Sequence, residues 1–182
     1  MQPRKEEFPV KKLLTRSLAL VLCLAALSIP FGAFAEETED PNATELLKTY
    51  TKLDLTPYLG KTVLVNFFTE WCTYCMQEMP DLKAAAEMYD PDTFQLVFVH
   101  PWDGEDASNT ESVKAKFGME DMVFVEDEDG AIASLVGLPG YPTSLFIDAE
   151  GTLVGAAPFM LTLDQLTYQL DQMGAQRKAD VE

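Results

Sequence analysis

Cys72 and Cys75 stand three positions apart in the run Glu70-Trp71-Cys72-Thr73-Tyr74-Cys75. Such a pair admits three chemistries. As half of a zinc site it needs two more ligands at metal spacing, and His100, the chain's single histidine, is the one imidazole on offer. As a structural disulfide it closes so small a loop that it restrains the unfolded chain little. As a redox dithiol it is well placed at the start of a helix. Spacing of three on a first turn puts both sulfurs on one face, close enough to bond. The first sulfur then lies beside free N–H groups and the positive end of the helix dipole. That favours its thiolate, the attacking species. The pattern favours this third chemistry over the other two.

The surrounding sequence supplies a strand before the pair and a helix after it. Thr62-Val-Leu-Val-Asn-Phe-Phe68 is a short apolar run rich in β-formers and reads as a buried strand. From Cys72 to about Tyr89 the apolar residues Met76, Met79, Leu82, Ala86 and Tyr89 recur at helical steps, with Pro80 expected to kink the helix. Phe94–Val99 reads as a second buried strand, Asp106–Phe117 as a polar helix, and Met122–Val125 as a short strand. The acidic stretch Glu126–Asp129 reads as a solvated turn, followed by a short helix up to Val136. Thr143–Ile147 and Thr152–Val154 flank Asp148-Ala-Glu-Gly151 as a hairpin. Leu163, Leu166, Leu170 and Met173 mark a closing amphipathic helix. Strands alternating with helices predict an α/β domain, and the late hairpin makes its central sheet mixed.

The N-terminus carries Arg4, Lys5, Lys11, Lys12 and Arg16 before an uncharged run from Ser17 to Ala35. Pro30 breaks that run, Ala33-Phe34-Ala35 presents small residues for cleavage, and acidic residues follow. This is the layout of a secretory signal peptide, with an uncleaved anchor as the competing reading. Cys23 reads as an apolar member of the run, because Leu22 precedes it where a lipid-attachment site has a small residue. The expected organisation is a signal peptide at 1–35, a flexible acidic lead-in at 36–45, one domain at 46–174 and a frayed tail at 175–182. The whole chain has 182 residues and a formal charge of −17. Removing 1–35 lowers Lys+Arg from 13 to 8 and Asp+Glu from 30 to 28, for a charge of −20. Such a surface repels phosphate backbones, so nucleic acid is excluded as a partner. Cys72 and Cys75 are then the only cysteines left.

Trp-Cys-x-x-Cys after an apolar strand resembles the thioredoxin superfamily, and Gly140-Tyr141-Pro142-Thr143 before a strand resembles that superfamily's second landmark. Val65–Pro80 and Pro142–Gly151 are similar, more narrowly, to exported TlpA/ResA-like thiol-disulfide oxidoreductases. The resemblance covers about Gly60 to Met173. It implies a thioredoxin-like fold and a redox-active Cys72–Cys75 disulfide as the working group, with no cofactor. It makes Cys72 the exposed nucleophile, Cys75 the resolving thiol and Pro142 a cis-proline facing them. Tyr141 would offer backbone hydrogen bonds to an extended substrate, with Trp71, Thr73 and Tyr74 beside it. Glu78 matches an acidic position near the dithiol, weighed evenly against a solvated helix residue. Asn66 departs from thioredoxin proper, which has a buried acid there, and Thr73-Tyr74 replaces its Gly-Pro. The implied partners are client protein disulfides or thiols and a membrane electron donor of the thiol-relay type. The protein is expected outside the cytoplasm and as a monomer.

The direction expected is reduction, with an oxidase or isomerase of the same fold as the alternative. Two readings belong to other classes. One is a copper-binding chaperone using Cys72, Cys75 and His100, although copper-delivery relatives of this fold have a longer cysteine spacing. The other is a redox-inert binding domain. His100 itself reads as a loop histidine. Glu126–Asp129 lacks the spacing of a calcium loop. Trp102 joins Trp71 and Tyr74 as a candidate apolar rim, with core or surface packing as the equal alternative for Trp102, and the methionines read as core filler.

Overall fold

A computed structural model describes residues 42–101 and 110–178. The expectations for the signal segment, most of the lead-in and Trp102 lie outside those residues. Among the described residues, no helix is long and apolar enough to cross a membrane. The chain runs α1 (Ala43–Tyr50), a 3₁₀ turn (Thr56–Tyr58), β1 (Thr62–Phe67), α2 (Thr73–Met88), β2 (Phe94–Pro101), α3 (Thr110–Phe117), β3 (Val123–Asp127), α4 (Ala131–Leu135), β4 (Thr143–Ile147), β5 (Leu153–Ala157) and α5 (Leu163–Gln172).

Five strands form one sheet in the order β3-β2-β1-β4-β5. β1 pairs in parallel with β2, and β2 with β3. β4 runs antiparallel to both β1 and β5, so the sheet is mixed, as the hairpin predicts. The central strand β1 is buried along its whole length. Its period of two sends Leu64 and Phe68 into a core with Met79 and Leu82 of α2, Val113 of α3, and Leu166 and Leu170 of α5. Val63, Val65 and Phe67 enter a second core with Leu47, Leu53 and Ile132. Helices therefore cover the sheet on both faces, and the position between Leu64 and Phe68, Asn66, shares their alternation.

Four local expectations are corrected. First, a helix begins at Ala43, inside the stretch read as a flexible lead-in. Asn42 caps it, accepting from the Glu45 amide at 3.0 Å. The Thr44 amide donates to the Gly151 carbonyl at 3.1 Å, seating the helix on the β4–β5 turn. Gly151 has φ +87°, and a Cβ there would lie 2.7 Å from Thr44 Oγ1, so both backbone and space demand glycine. Second, β5 reaches Ala157 because Ser144 to Ile147 of β4 pair along it. Third, the tail is tied down through Lys178. The Lys178 amide donates to the Met88 carbonyl at 2.9 Å, and Arg177 forms an ion pair with Asp171 at 2.8 Å. Fourth, the acidic turn is not uniformly solvated, because Asp127 closes β3 and is buried. Its two carboxylate oxygens accept from the Ile132 amide at 3.1 Å and the Ala133 amide at 2.9 Å, capping α4 from five residues upstream.

A buried carboxylate that satisfies two helix-terminal amides is costly to delete. Asp127→Ala should lower stability by about 2–3 kcal/mol in urea unfolding, and Asp127→Asn, which keeps one acceptor, should recover part of the loss. A midpoint for Asp127→Ala equal to wild type would show that the cap contributes nothing.

Candidate active site

Helix α2 begins immediately after the cysteine that caps it. Cys72 is the N-cap, and its Sγ accepts from the Cys75 amide at 3.1 Å. Sulfur thus occupies the place of the usual capping oxygen, beside the unsatisfied amides of the first turn. The helix runs unbroken through Pro80 to Met88. Cys72 and Cys75 are joined by a disulfide, with their Cα atoms 5.2 Å apart.

The pair is asymmetric. Cys72 retains 6% exposure and Cys75 1%. The expectation of an exposed nucleophile is corrected to one that is largely covered, since in the oxidised form Cys72 belongs to the core cluster on the α2 face, against which Tyr141 also packs. Cys72 is still the more accessible residue of the pair. Around it the aromatic rim stands out into solvent: Trp71 and Tyr74 are each 63% exposed, and Thr73 between the cysteines is exposed too. The Trp71 ring meets Tyr141 edge-on at 5.7 Å.

The Tyr141–Pro142 peptide is cis, as the resemblance implies. Pro142 is buried. Thr143 pairs with Phe67 across β4 and β1, so Pro142 lies one step beyond the last pair, at the edge of the sheet where β1 gives way to the cysteine loop. Adjacent strands therefore bring two sequence segments some seventy residues apart to one end of the sheet.

Glu78 lies three residues after Cys75, on the same helical face. The alternative of a solvated residue is corrected, since Glu78 is buried. Glu78 Oε1 accepts from the Leu161 amide at 2.8 Å, and Oε2 accepts from Asn66 Nδ2 at 3.4 Å. Asn66 Nδ2 also donates to Ser144 Oγ at 3.0 Å. Burial pushes the Glu78 carboxyl up to about 7, against the opposing effect of the Leu161 and Asn66 hydrogen bonds; the neighbouring Asp81 adds to the rise. One helical turn later Asp81 Oδ2 accepts from the Leu163 amide at 3.1 Å. Two carboxylates of α2 thus hold the segment entering α5.

Sequence reasoning missed the partners of Glu78. Ser144, linked to Glu78 through Asn66, is a hydroxyl inside a wholly buried strand, a signal visible in Thr143–Ile147 once every position is taken as interior. Leu161 contributes a backbone amide and leaves no mark in side-chain type. His100 is corrected from a loop to strand β2, where it is buried beneath Phe68 with ring centroids 5.2 Å apart. Its Nδ1 lies 3.3 Å from Glu126 Oε2. Among the described residues no group of three His, Cys, Asp or Glu side chains could hold a metal ion. Cys72, Cys75 and His100 are thus not gathered into such a group, and the copper-chaperone reading has no support.

A disulfide at the head of a helix, opposed by a cis-proline at the same end of a mixed sheet, defines a thioredoxin-like thiol-disulfide oxidoreductase. Residues 36–156 match the AhpC/TSA family, and the chain belongs to it. It is 26% identical over 171 residues to the thiol-disulfide oxidoreductase ResA of Geobacillus thermodenitrificans, covering 90% of this chain and 97% of the relative. It is 30% identical over 155 residues to the thiol:disulfide interchange protein DsbE of Pseudomonas fluorescens, covering 84% and 76%. Among solved structures it resembles the exposed lipoprotein thioredoxin Etrx1 of Streptococcus pneumoniae, with a TM-score of 0.55, 27% identity, and coverage of 65% of this chain and 89% of that one.

The raised Glu78 carboxyl makes a prediction about stability. The unfolded chain releases this proton near 4.5, whereas the folded protein holds it until about 7. Between those values the native state binds more protons, so stability falls as pH rises. The loss is about 3 kcal/mol for the oxidised protein, complete above the folded value. Glu78→Gln should flatten this decline in denaturant titrations from acid to neutral pH. A variant curve parallel to wild type would mean that Glu78 does not carry the effect.

Proposed function

We propose that this chain reduces disulfides in client proteins outside the cytoplasm, cycling between the Cys72–Cys75 disulfide and its dithiol. The observation that carries the reading is the Cys75 amide donating to Cys72 Sγ at the N-terminus of α2. On reduction the same amide and helix end favour a Cys72 thiolate. That thiolate attacks one sulfur of the client disulfide. The client S–S bond breaks, a Cys72–client bond forms, and the other client sulfur leaves as a thiolate that takes a proton from water. The Cys75 thiol then gives its proton to the Glu78 carboxylate, and its sulfur displaces the client from Cys72. The departing client thiolate takes up that proton. The client has gained two electrons and two protons, and the enzyme is left as the Cys72–Cys75 disulfide.

Supporting groups follow from position. Pro142, buried at the edge of the sheet, keeps an N–H away from the sulfurs because proline has none. Tyr141 offers backbone hydrogen bonds to an extended client segment, in the manner of strand addition. Trp71, Thr73 and Tyr74 give that segment an exposed, partly aromatic surface. Electrons return from a membrane donor of the thiol-relay type, and the protein acts as a monomer, as the resemblance implies. The basic, apolar and A-x-A layout of residues 1–35 supports the extracytoplasmic placement, as does the similarity to the pneumococcal protein, an exposed lipoprotein thioredoxin.

Cys75→Ala, expressed with its export segment, should trap clients on Cys72 as mixed disulfides that a reducing gel dissolves. Cys72→Ser should trap none and should lose disulfide reduction by several orders of magnitude. Recovery of no adduct with Cys75→Ala would count against the mechanism. The reduction potential sets direction: a value near thioredoxin's, about −270 mV, suits a reductase, and one near −120 mV would make the protein an oxidant.

A further inference from the structure

Asn66 is fully buried in the central strand and directly opposite Ser144 of β4. Its Nδ2 donates to two oxygens, Ser144 Oγ at 3.0 Å and Glu78 Oε2 at 3.4 Å. Its Oδ1 is buried with no hydrogen-bond partner among the described residues. The Glu78 carboxylate completes its set with the Leu161 amide on its other oxygen. The charged and titratable groups set around Glu78 are few. Helix α2 supplies Asp81 and, once reduced, Cys75 and Cys72. From β1 the polar group in contact is Asn66, which in turn bonds Ser144 of β4, and from the segment before α5 it is a backbone amide.

An ionised carboxylate accepts hydrogen bonds only, whereas a carboxylic acid also carries an O–H to donate. Most buried partners suit one of these states and oppose the other. A primary amide suits both, because its oxygen and nitrogen ends have nearly the same shape and exchange places by a half-turn. Ser144 allows the exchange, since its hydroxyl accepts from Nδ2 or donates to Oδ1 by rotating. Turning over exchanges an unpartnered Oδ1 for an unpartnered Nδ2, so the reversed orientation is carried by the bonds that the Glu78 O–H and the Ser144 hydroxyl then donate to Oδ1.

We propose that Asn66 is a positioning residue for the Glu78 proton, presenting Nδ2 to the carboxylate and turning over to present Oδ1 to the carboxylic acid. Glu78 thereby has a hydrogen-bonded partner before and after each proton transfer, without movement of backbone. The coupling of Asn66 to Glu78 stands on the contacts above; its consequence for thiol exchange rests on the role given to Glu78 under the proposed function. An acid at position 66 would place a second negative charge beside Glu78, and an apolar residue would leave the ionised form with the Leu161 amide alone.

The test uses the oxidised full-length protein, so that the cysteines do not titrate. The Asn66 side-chain amide resonances, followed by ¹⁵N NMR, should titrate with the same midpoint as the Glu78 carboxyl carbon. They should become independent of pH in Glu78→Gln. In Asn66→Leu the Glu78 midpoint should rise by about one pH unit, a tenfold gain in proton affinity. In Asn66→Asp the carboxyl titration should split into two steps. Amide resonances that stay fixed while Glu78 titrates would overturn the proposal, and this wild-type measurement decides even if the variants do not fold. If the resonances titrate together but Glu78→Gln leaves the pH profile of disulfide reduction unchanged, the Asn66 assignment holds and the role of Glu78 in exchange falls.

Discussion

A sulfur atom caps the central helix, and the rest of the site is arranged around that contact. Cys72 Sγ accepts from the Cys75 amide where a serine or aspartate oxygen would ordinarily sit. Caps bring a polarisable or charged atom to unsatisfied amides, so the same geometry that starts α2 favours negative charge on the attacking atom. Strand β1 delivers the cap to this place. It is the middle strand of five and buried throughout, with a core on each face. A fully interior strand leaves its C-terminal end little freedom, and the cysteine loop inherits that rigidity.

The second consequence of a central strand is polar. Asn66 faces α2 by the same alternation that points Leu64 and Phe68 there, and it meets Glu78 in a region without water contact. A carboxyl buried this way would ordinarily be a liability. Here three elements share its satisfaction: an amide side chain from β1, a backbone amide from the segment before α5, and, through Asn66, a hydroxyl from β4. The carboxyl is left with a proton affinity near neutrality, the range in which a group can both take and return a proton. Its place one turn below Cys75 ties that property to the dithiol.

Much of this was legible in the chain. The cysteine spacing, the strand before it and the helical periodicity after it are local patterns, and local patterns survive translation into structure because burial enforces them. The cis peptide at Tyr141–Pro142 was legible only by resemblance, since an X–Pro bond carries no mark of its isomer. Other residues misled for a single reason. Glu78, Asp127 and His100 are polar types that usually face water, and each is buried because another element supplies its partner. Asp127 answers two amides of the next helix, and Glu78 answers an amide eighty-three residues away. Composition assigns such side chains to the surface, and only the accounting of hydrogen bonds in three dimensions moves them inside.

Sequence alone therefore determined the reacting atoms and their order: two thiols on one helical turn, behind a β-strand and ahead of a Tyr-Pro-Thr turn. Residue type and spacing suffice for that, because neighbours along a chain are neighbours in space. Tertiary structure decided which cysteine is the more exposed of the two, which carboxyl shares its face and which amide attends that carboxyl. Those outcomes depend on contacts between strands and helices far apart in the chain, and on the exclusion of water from the space between them. Proton affinity and accessibility are properties of that enclosed space, and no stretch of residues possesses them before the sheet closes.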